Sequence, residues 1–334
     1  MDARQVSGDQ NIATEDQYQQ IDEEISRLYA SIAALKSRRN ALSPLYRLPP
    51  EIITTIFLCV KRAYRRSNFL DHFSPFKWIS LTHVSSHLRS IAINAPCLWV
   101  DPPLDNLPWM EEMLKRSKNA GLIVNARLSS KGNPPGLEQV LQHSAHIKVL
   151  RFDILSPDHY TQMLQYLPRS APQLAYLAIN APYFGPGHFQ TIQPFFVSIP
   201  SNILLETPRL RYLELTSCKF NWNTHSHLFH SLAHLRIYYL PQTSRPTPKQ
   251  MVDVLKAMPN IISLCLSHAL PTEANNRVSW TSGPIHLASL RRLEIQDTTT
   301  GLEDFFSCVT FPLTATMQAL LDLIQTTSSI FKKS

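Results

Sequence analysis

One pattern, L-x-x-L-x-L with leucine, isoleucine or phenylalanine at its apolar positions, constrains the fold more than anything else in the chain. It occurs six times: at Ile147/Leu150/Phe152, Leu174/Leu177/Ile179, Leu210/Leu213/Leu215, Leu232/Leu235/Ile237, Ile261/Leu264/Leu266 and Leu290/Leu293/Ile295. Its last two apolar positions lie two residues apart, so a strand puts both on one face. The middle positions are 27, 36, 22, 29 and 29 residues apart, enough for one strand and one returning segment per unit. Such units bury their apolar faces only by stacking on each other. Residues 158–170 and 248–260 read as returning helices closed by proline. LIVNARL (Leu122 to Leu128) predicts a further strand, Trp109 to Lys118 a helix, and Lys131 to Gly136 a loop.

Strand alternation turns the other residues of each unit outward. The position before the middle apolar residue supplies Val149, Tyr176, Tyr212, His234, Ser263 and Arg292. The position after it supplies Arg151, Ala178, Glu214, Arg236, Cys265 and Glu294, and a third row holds Asp153, Asn180, Thr216, Tyr238, Ser267 and Gln296. Tyrosine and arginine dominate interface energetics. Arg151, Tyr176, Tyr212, Glu214, His234, Arg236, Tyr238 and Arg292 are therefore the candidate face for a protein target, with Arg236 placed to neutralise Glu214.

The period resembles that of leucine-rich repeats. That resemblance implies a horseshoe with the candidate face on its concave side. The ninth position, often Asn or Cys, is here Leu155, Pro182, Cys218, Leu240, Ala269 and Thr298. With only Cys218 fitting, an irregular, loop-rich horseshoe over 101–313 is expected.

Upstream lie two short amphipathic helices bordered by prolines. In LPPEIITTIF, Pro49 and Pro50 suit a helix entry and Glu51 its first turn. Ile52, Ile53, Ile56, Phe57 and Val60 recur at helical spacing. In ISLTHVSSHLRSIAINAPCLW, Leu81, Val84, Leu88, Ile91 and Ala92 form a second such face, ended by Pro96 and followed by the apolar pair Leu98-Trp99. The ordered string Leu48, Pro49, Glu51, Ile52, Ile56, Phe57, Val84, Arg89, Ile91, Ala92, Pro96, Leu98 and Trp99 resembles the F-box. Ser85 stands at the family's usual Cys, Leu88 at its usual Trp, and Ser86 with His87 at commonly basic positions. The resemblance implies that residues 44–100 dock on the Skp adaptor, and through it on a cullin–RING (SCF) ubiquitin ligase. Leu48, Pro49, Ile52, Ile56, Phe57, Leu81, Val84 and Leu88 are the candidate contacts. The repeat domain would then hold an unidentified protein for ubiquitin-dependent degradation.

Between residues 16 and 43, Tyr18, Ile21, Ile25, Leu28, Ile32 and Leu35 alternate three and four apart. This is a heptad stripe over about three heptads, open to self-association, to a partner helix or to docking on the helices that follow. Together with the F-box-like string, this leader resembles that of a large group of F-box proteins from mushroom-forming fungi. Residues 1–15 are polar, without period, and are expected to be disordered. The fold class expected is thus mostly α at the N-terminus, a heptad helix plus a helical F-box, followed by an α/β leucine-rich-repeat horseshoe. Residues 314–334 are expected to form a helix near Met317 to Gln325, or a truncated cap.

Composition removes several function classes. Only 8 of 334 residues are glycine, and no phosphate-cradling or nucleophile-elbow motif occurs, which argues against nucleotide, dinucleotide and hydrolase chemistry. The five cysteines are scattered with no C-x-x-C, so a reducing intracellular compartment, cytoplasmic or nuclear, is expected without structural zinc. There is no run of 18 apolar residues, so no membrane span is expected. Net charge is +7, densest at KRAYRR (Lys61 to Arg66). That run reads as a solvated loop between the two helices, and no nucleic-acid motif supports the alternative. His225, His227, His230 and His234 cluster, but without a carboxylate partner or H-E-x-x-H. No active site, cofactor or metal site is expected. The rivals are an oligomeric scaffold driven by the heptad helix and a zinc enzyme built on the histidines.

Overall fold

The computed structural model describes residues 3–67, 76–157, 164, 166–181, 195–272 and 284–321, with backbone alone for 3–14, 66 and 67. The chain divides into two units, Met1–Leu98 and Trp99–Ser334. The fold class is mixed: N-terminal helices, then an eight-stranded parallel sheet with helices.

In the first unit, helix α1 spans Ala3–Ala41. It reaches back through residues 3–15, where the sequence predicts disorder. No proline precedes Pro44, and a nucleated helix elongates through adequate helix formers such as Ala, Gln, Arg and Glu. A 3-10 turn, Pro44–Arg47, leads to α2 (Pro50–Ser67), which carries Glu51 in its first turn. KRAYRR is therefore the end of α2 and not a loop. Of its cations, Arg65 lies in the last turn, where the dipole favours positive charge.

The second apolar face is split between two elements. A 3-10 helix covers Lys77–His83, and α3 covers Ser86–Ile93. Ser85 separates them because it is extended and its hydroxyl accepts from Leu88 N–H at 3.2 Å. Serine is a good N-cap, since its oxygen satisfies an otherwise orphaned donor. Ile53, Phe57, Trp78, Leu88, Ile91, Ala92 and Leu98 are buried. Lys61 is buried with them; its Nζ donates to Leu98 O at 2.7 Å and lies 5.5 Å from the Trp78 ring centre.

The second unit opens with α4 (Leu107–Ser117), capped by Asn106, whose side chain accepts from Trp109 N–H at 3.2 Å. Trp99 is buried between Trp109, at 6.1 Å, and the Arg116 guanidinium, at 4.4 Å. Next come β1 (Leu122–Leu128), the short α5 (Leu137–Leu141), β2 (Ile147–Ile154), β3 (Tyr176–Asn180), β4 (Val197–Ser198), β5 (Tyr212–Thr216), β6 (Cys218–Lys219) and β7 (His234–Tyr238). After these come α6 (Pro248–Lys256), β8 (Ser263–Ser267), β9 (Ile285–His286), β10 (Arg292–Asp297), α7 (Thr299–Cys308), β11 (Val309–Thr310) and β12 (Thr316–Leu321).

All six predicted repeat strands are present. The sheet order is β1-β2-β3-β5-β7-β8-β10-β12, every pairing is parallel, and the order follows the chain. The register sets Leu150, Leu177, Leu213, Leu235, Leu264 and Leu293 side by side. All six are buried. The 29-residue spacing from Leu235 to Leu264 admits α6, which begins with a Thr247/Gln250 capping box. The 22-residue spacing before Leu235 holds the two-residue β6 and a 3-10 turn, Ser226–Phe229, in place of an α-helix. Trp222 anchors that segment through an indole N–H to Ser244 O at 2.8 Å and a ring stack on Phe229 at 5.3 Å. Of the other predicted return, 158–163 and 165 lie outside the described residues.

The sequence places a helix at Met317 to Gln325, but Met317 to Leu321 belong to β12; residues 322–334 lie outside the described residues. TMQALL suits either period, and the decision comes from β10, whose otherwise open edge pairs residue for residue with Thr316 to Leu321. Strand ends supply what an Asn ladder would. Ser217, Tyr239 and His268 directly follow β5, β7 and β8 with φ of 53°, 56° and 51°. Each donates its N–H to a carbonyl at the end of the next strand, that of Tyr238, Ser267 or Gln296, at 2.8–2.9 Å. Leu240 and Ala269 at the ninth position are simply buried, Cys218 is buried with its thiol toward Ile179 O, and Thr298 caps α7.

Two substitutions test this account. Left-handed backbone costs an L-residue about 1–2 kcal/mol, and the Ser217 hydroxyl is buried with no partner. Ser217→Gly should therefore raise stability in urea by about 0.5–1 kcal/mol after the glycine's own entropy loss. Leu88→Trp should instead destabilise by about 1–3 kcal/mol through overpacking a site already 5% exposed.

Candidate functional site

The sheet's outward face brings together all eight residues chosen for it from sequence. Register places Tyr176, Tyr212, His234, Ser263 and Arg292 in one lateral row. Arg151, Ala178, Glu214, Arg236, Cys265 and Glu294 form the next.

The rings of Tyr176 and Tyr212 stack at 4.3 Å and 14°, and Tyr212 lies 5.5 Å from His234. Glu214 is the hub. Its Oε2 accepts from the Tyr212 hydroxyl at 3.1 Å, from the Tyr176 hydroxyl at 3.5 Å, and pairs with Arg236 Nη1 at 3.9 Å. Arg151 donates to the Tyr176 hydroxyl and lies 5.3 Å from that ring, while Arg236 lies 5.6 Å from the Tyr212 ring.

A second group surrounds Cys265, whose Sγ is 3.2 Å from both Tyr238 Oη and Glu294 Oε2. Arg292 Nε donates to Glu294 Oε1 at 2.8 Å. Cys265 and Glu294 lay in the alternation pattern but were not among the eight candidates. A cysteine and a second carboxylate carry no signal until their neighbours are known. A shallow hollow of about 180 Å³ lies here, lined by Tyr238, Cys265, Ser267, Glu294, Gln296 and Gln318 among others. That is below the ~300 Å³ at which sites for drug-sized molecules begin.

The electrostatics hold these groups in their resting protonation states. Burial, then the Glu214 charge, raises the Tyr212 phenol; burial and the Cys265 contact raise Tyr238. Burial pushes the Cys265 thiol up to about 11. Hydrogen bonding from Arg292, then from Cys265, holds Glu294 below the ordinary carboxylate range. Burial, with Arg236 nearby, lowers His234. Near pH 7 the thiol and phenols keep their protons and the imidazole is neutral. The arrangement presents fixed donors, acceptors and aromatic faces, which is recognition chemistry.

The histidine cluster does not converge. His225 is buried, its ring nitrogens engaged by Asn221 O at 2.8 Å and Pro200 O at 3.2 Å, while His234 stands on β7. Among the described residues, no group of three or more His, Cys, Asp or Glu is arranged to hold a metal ion.

The predicted contacts of the helical unit are divided by the structure. Ile52, Ile56 and Val84 are exposed, at 48%, 39% and 65%. Pro49 is exposed too, and Leu48 and Leu81 are half-buried. Phe57 and Leu88, in contrast, are buried in the unit's own core and offer no surface. The cause lies in α2. Ile53, Phe57 and Lys61 repeat every four residues on the inner stripe, and Ile52 and Ile56 run one residue, about 100°, to the side.

No family model matches the chain, and no match was found among curated proteins or solved structures. Among the described residues, no helix is long and apolar enough to cross a membrane.

Thiol labelling of the native protein checks the site's state. Cys59 and Cys97 are exposed, whereas Cys218, Cys265 and Cys308 are buried. Two thiols should alkylate rapidly. The slow labelling of Cys265, followed by peptide mass spectrometry, should rise about tenfold per pH unit from 7 to 9 without levelling, because its thiolate forms only near 11.

Proposed function

We propose that the chain is a non-catalytic adaptor. Its helical unit, residues 44–100, would act as an F-box docking on a Skp adaptor of a cullin–RING ubiquitin ligase. Its sheet domain, read as an irregular leucine-rich-repeat horseshoe, would capture a protein for ubiquitin transfer. The observation that carries the docking half is the exposed apolar stripe of Ile52 and Ile56, with Pro49 before it and Val84 on the second element. A unit of this size with an adequate core of its own has no internal use for bulky apolar groups in water, and such surfaces mark interaction sites. The repeat half is supported by an all-parallel sheet whose strand order follows the chain and whose leucines align across six strands. Recognition by the polar face is supported by its stacked tyrosines and paired arginines, the residue types of binding hot spots. In this reading the protein accelerates ubiquitin transfer only by holding the target close to the ligase.

Co-expression with a Skp adaptor followed by size-exclusion chromatography is the test. A one-to-one complex should form with the wild type and be lost in the Ile52→Asp, Ile56→Asp double variant, which leaves the core intact. Phe57→Asp should fail earlier, by unfolding the unit. Wild-type protein that stays soluble alone and ignores the adaptor overturns the reading.

A further inference from the structure

Helix α1 exposes one unbroken apolar stripe. Tyr18, Ile21, Ile25, Leu28, Ile32 and Leu35 all stand in solvent, each 43–66% exposed. They occupy alternating a and d positions of a heptad, with Ile25 and Ile32 at a and Leu28 and Leu35 at d. A lone helix gains nothing from such a stripe in water, and its residues are those that fill a coiled-coil seam.

The flanking charges identify the occupant. With Tyr18 at a, the e positions hold Asp22, Tyr29 and Lys36, and the g positions hold Glu24, Ser31 and Arg38. Acids thus flank the seam at its start and bases at its end. In a parallel pair, g meets the e position five residues on, so Glu24 would face Tyr29 and Ser31 would face Lys36, with no charge pair formed. Arg39, at a, would also meet its own copy. In an antiparallel pair, e meets e and g meets g. When Ile25 lies opposite the second copy's Leu35, and Leu28 opposite its Ile32, Asp22 faces Lys36 and Glu24 faces Arg38. Twofold symmetry makes that four opposite-charge pairs and no like-charge pair. Sliding by one heptad, so that Ile25 meets Leu28, leaves only Glu15 facing Lys36. On the outer face, Glu23 and Arg27 pair within the helix at 3.4 Å, leaving the e and g charges to the partner.

We infer that α1 is a self-complementary surface and binds a second copy of this chain as an antiparallel coiled coil in that register. The inference stands independently of Skp docking, which uses other residues.

Sedimentation equilibrium of the full chain, without any adaptor, tests it. The wild type should be a dimer. Asp22→Lys with Glu24→Arg turns all four attractive pairs repulsive and should raise the dissociation constant at least about tenfold. Adding Lys36→Asp and Arg38→Glu restores complementarity and should restore the dimer. All four sites are exposed on α1, so none of these changes touches a core. A monomeric wild type overturns the inference, as does a dimer unaffected by the double reversal, which would mean a parallel seam or another face.

Discussion

The parallel hydrogen-bond ladder, held in one register across the sheet, is the constraint on which the rest of the second unit depends. It sets each strand's middle residue beside its counterpart in the next repeat, so six leucines form one buried row. Burying a leucine is worth about 1.5–3 kcal/mol. A one-residue slip of any strand would turn its leucine to water and the polar row inward. The outward rows are therefore fixed by the inward one. Tyr176 stacks on Tyr212 because Leu177 packs beside Leu213.

The same ladder explains a chain that turns tightly with few glycines. Ser217, Tyr239 and His268 adopt left-handed backbone at strand ends, where glycine would be the unstrained choice. Each is held there by an N–H bonded across to the neighbouring strand, and the Tyr239 and His268 rings stack at 5.0 Å. Asp297 is the last residue of β10. It is buried with Arg245 at 3.0 Å and accepts from the backbone N–H of Leu270 and Thr298. Charge burial of this kind persists only when every oxygen is satisfied.

Periodicity made the repeat strands and their outward rows legible, since period two assigns a face to every residue once the buried leucines are known. It failed where two periods or two stripes coexist. TMQALL satisfies helix and strand alike, and only the open edge of β10 settles it. In α2 the residues Ile52, Ile53, Ile56 and Phe57 are equally apolar, so the pattern alone left unsettled which pair faces inward. Lys61, one turn beyond Phe57, marks the inner stripe only when its ammonium is seen reaching Leu98 O and Trp78. Leu88 followed the same logic. The resemblance read from the sequence offers it as a contact, whereas in α3, which begins only after the Ser85 cap, it is buried in the core.

What makes the sheet face suited to recognition is how little its side chains have left to lose. Glu214 ties Tyr176, Tyr212 and Arg236 together, and Arg151 and Arg292 are each held by a partner on their own face. Immobilising a rotamer-rich side chain at an interface costs about 0.5–1.5 kcal/mol, and these have met much of that cost in folding. The near-balance of arginines and carboxylates also bears on the partner that the proposed reading requires. On that reading, a face of largely balanced charge and stacked rings would reward shape and matched hydrogen bonds at contact more than long-range attraction.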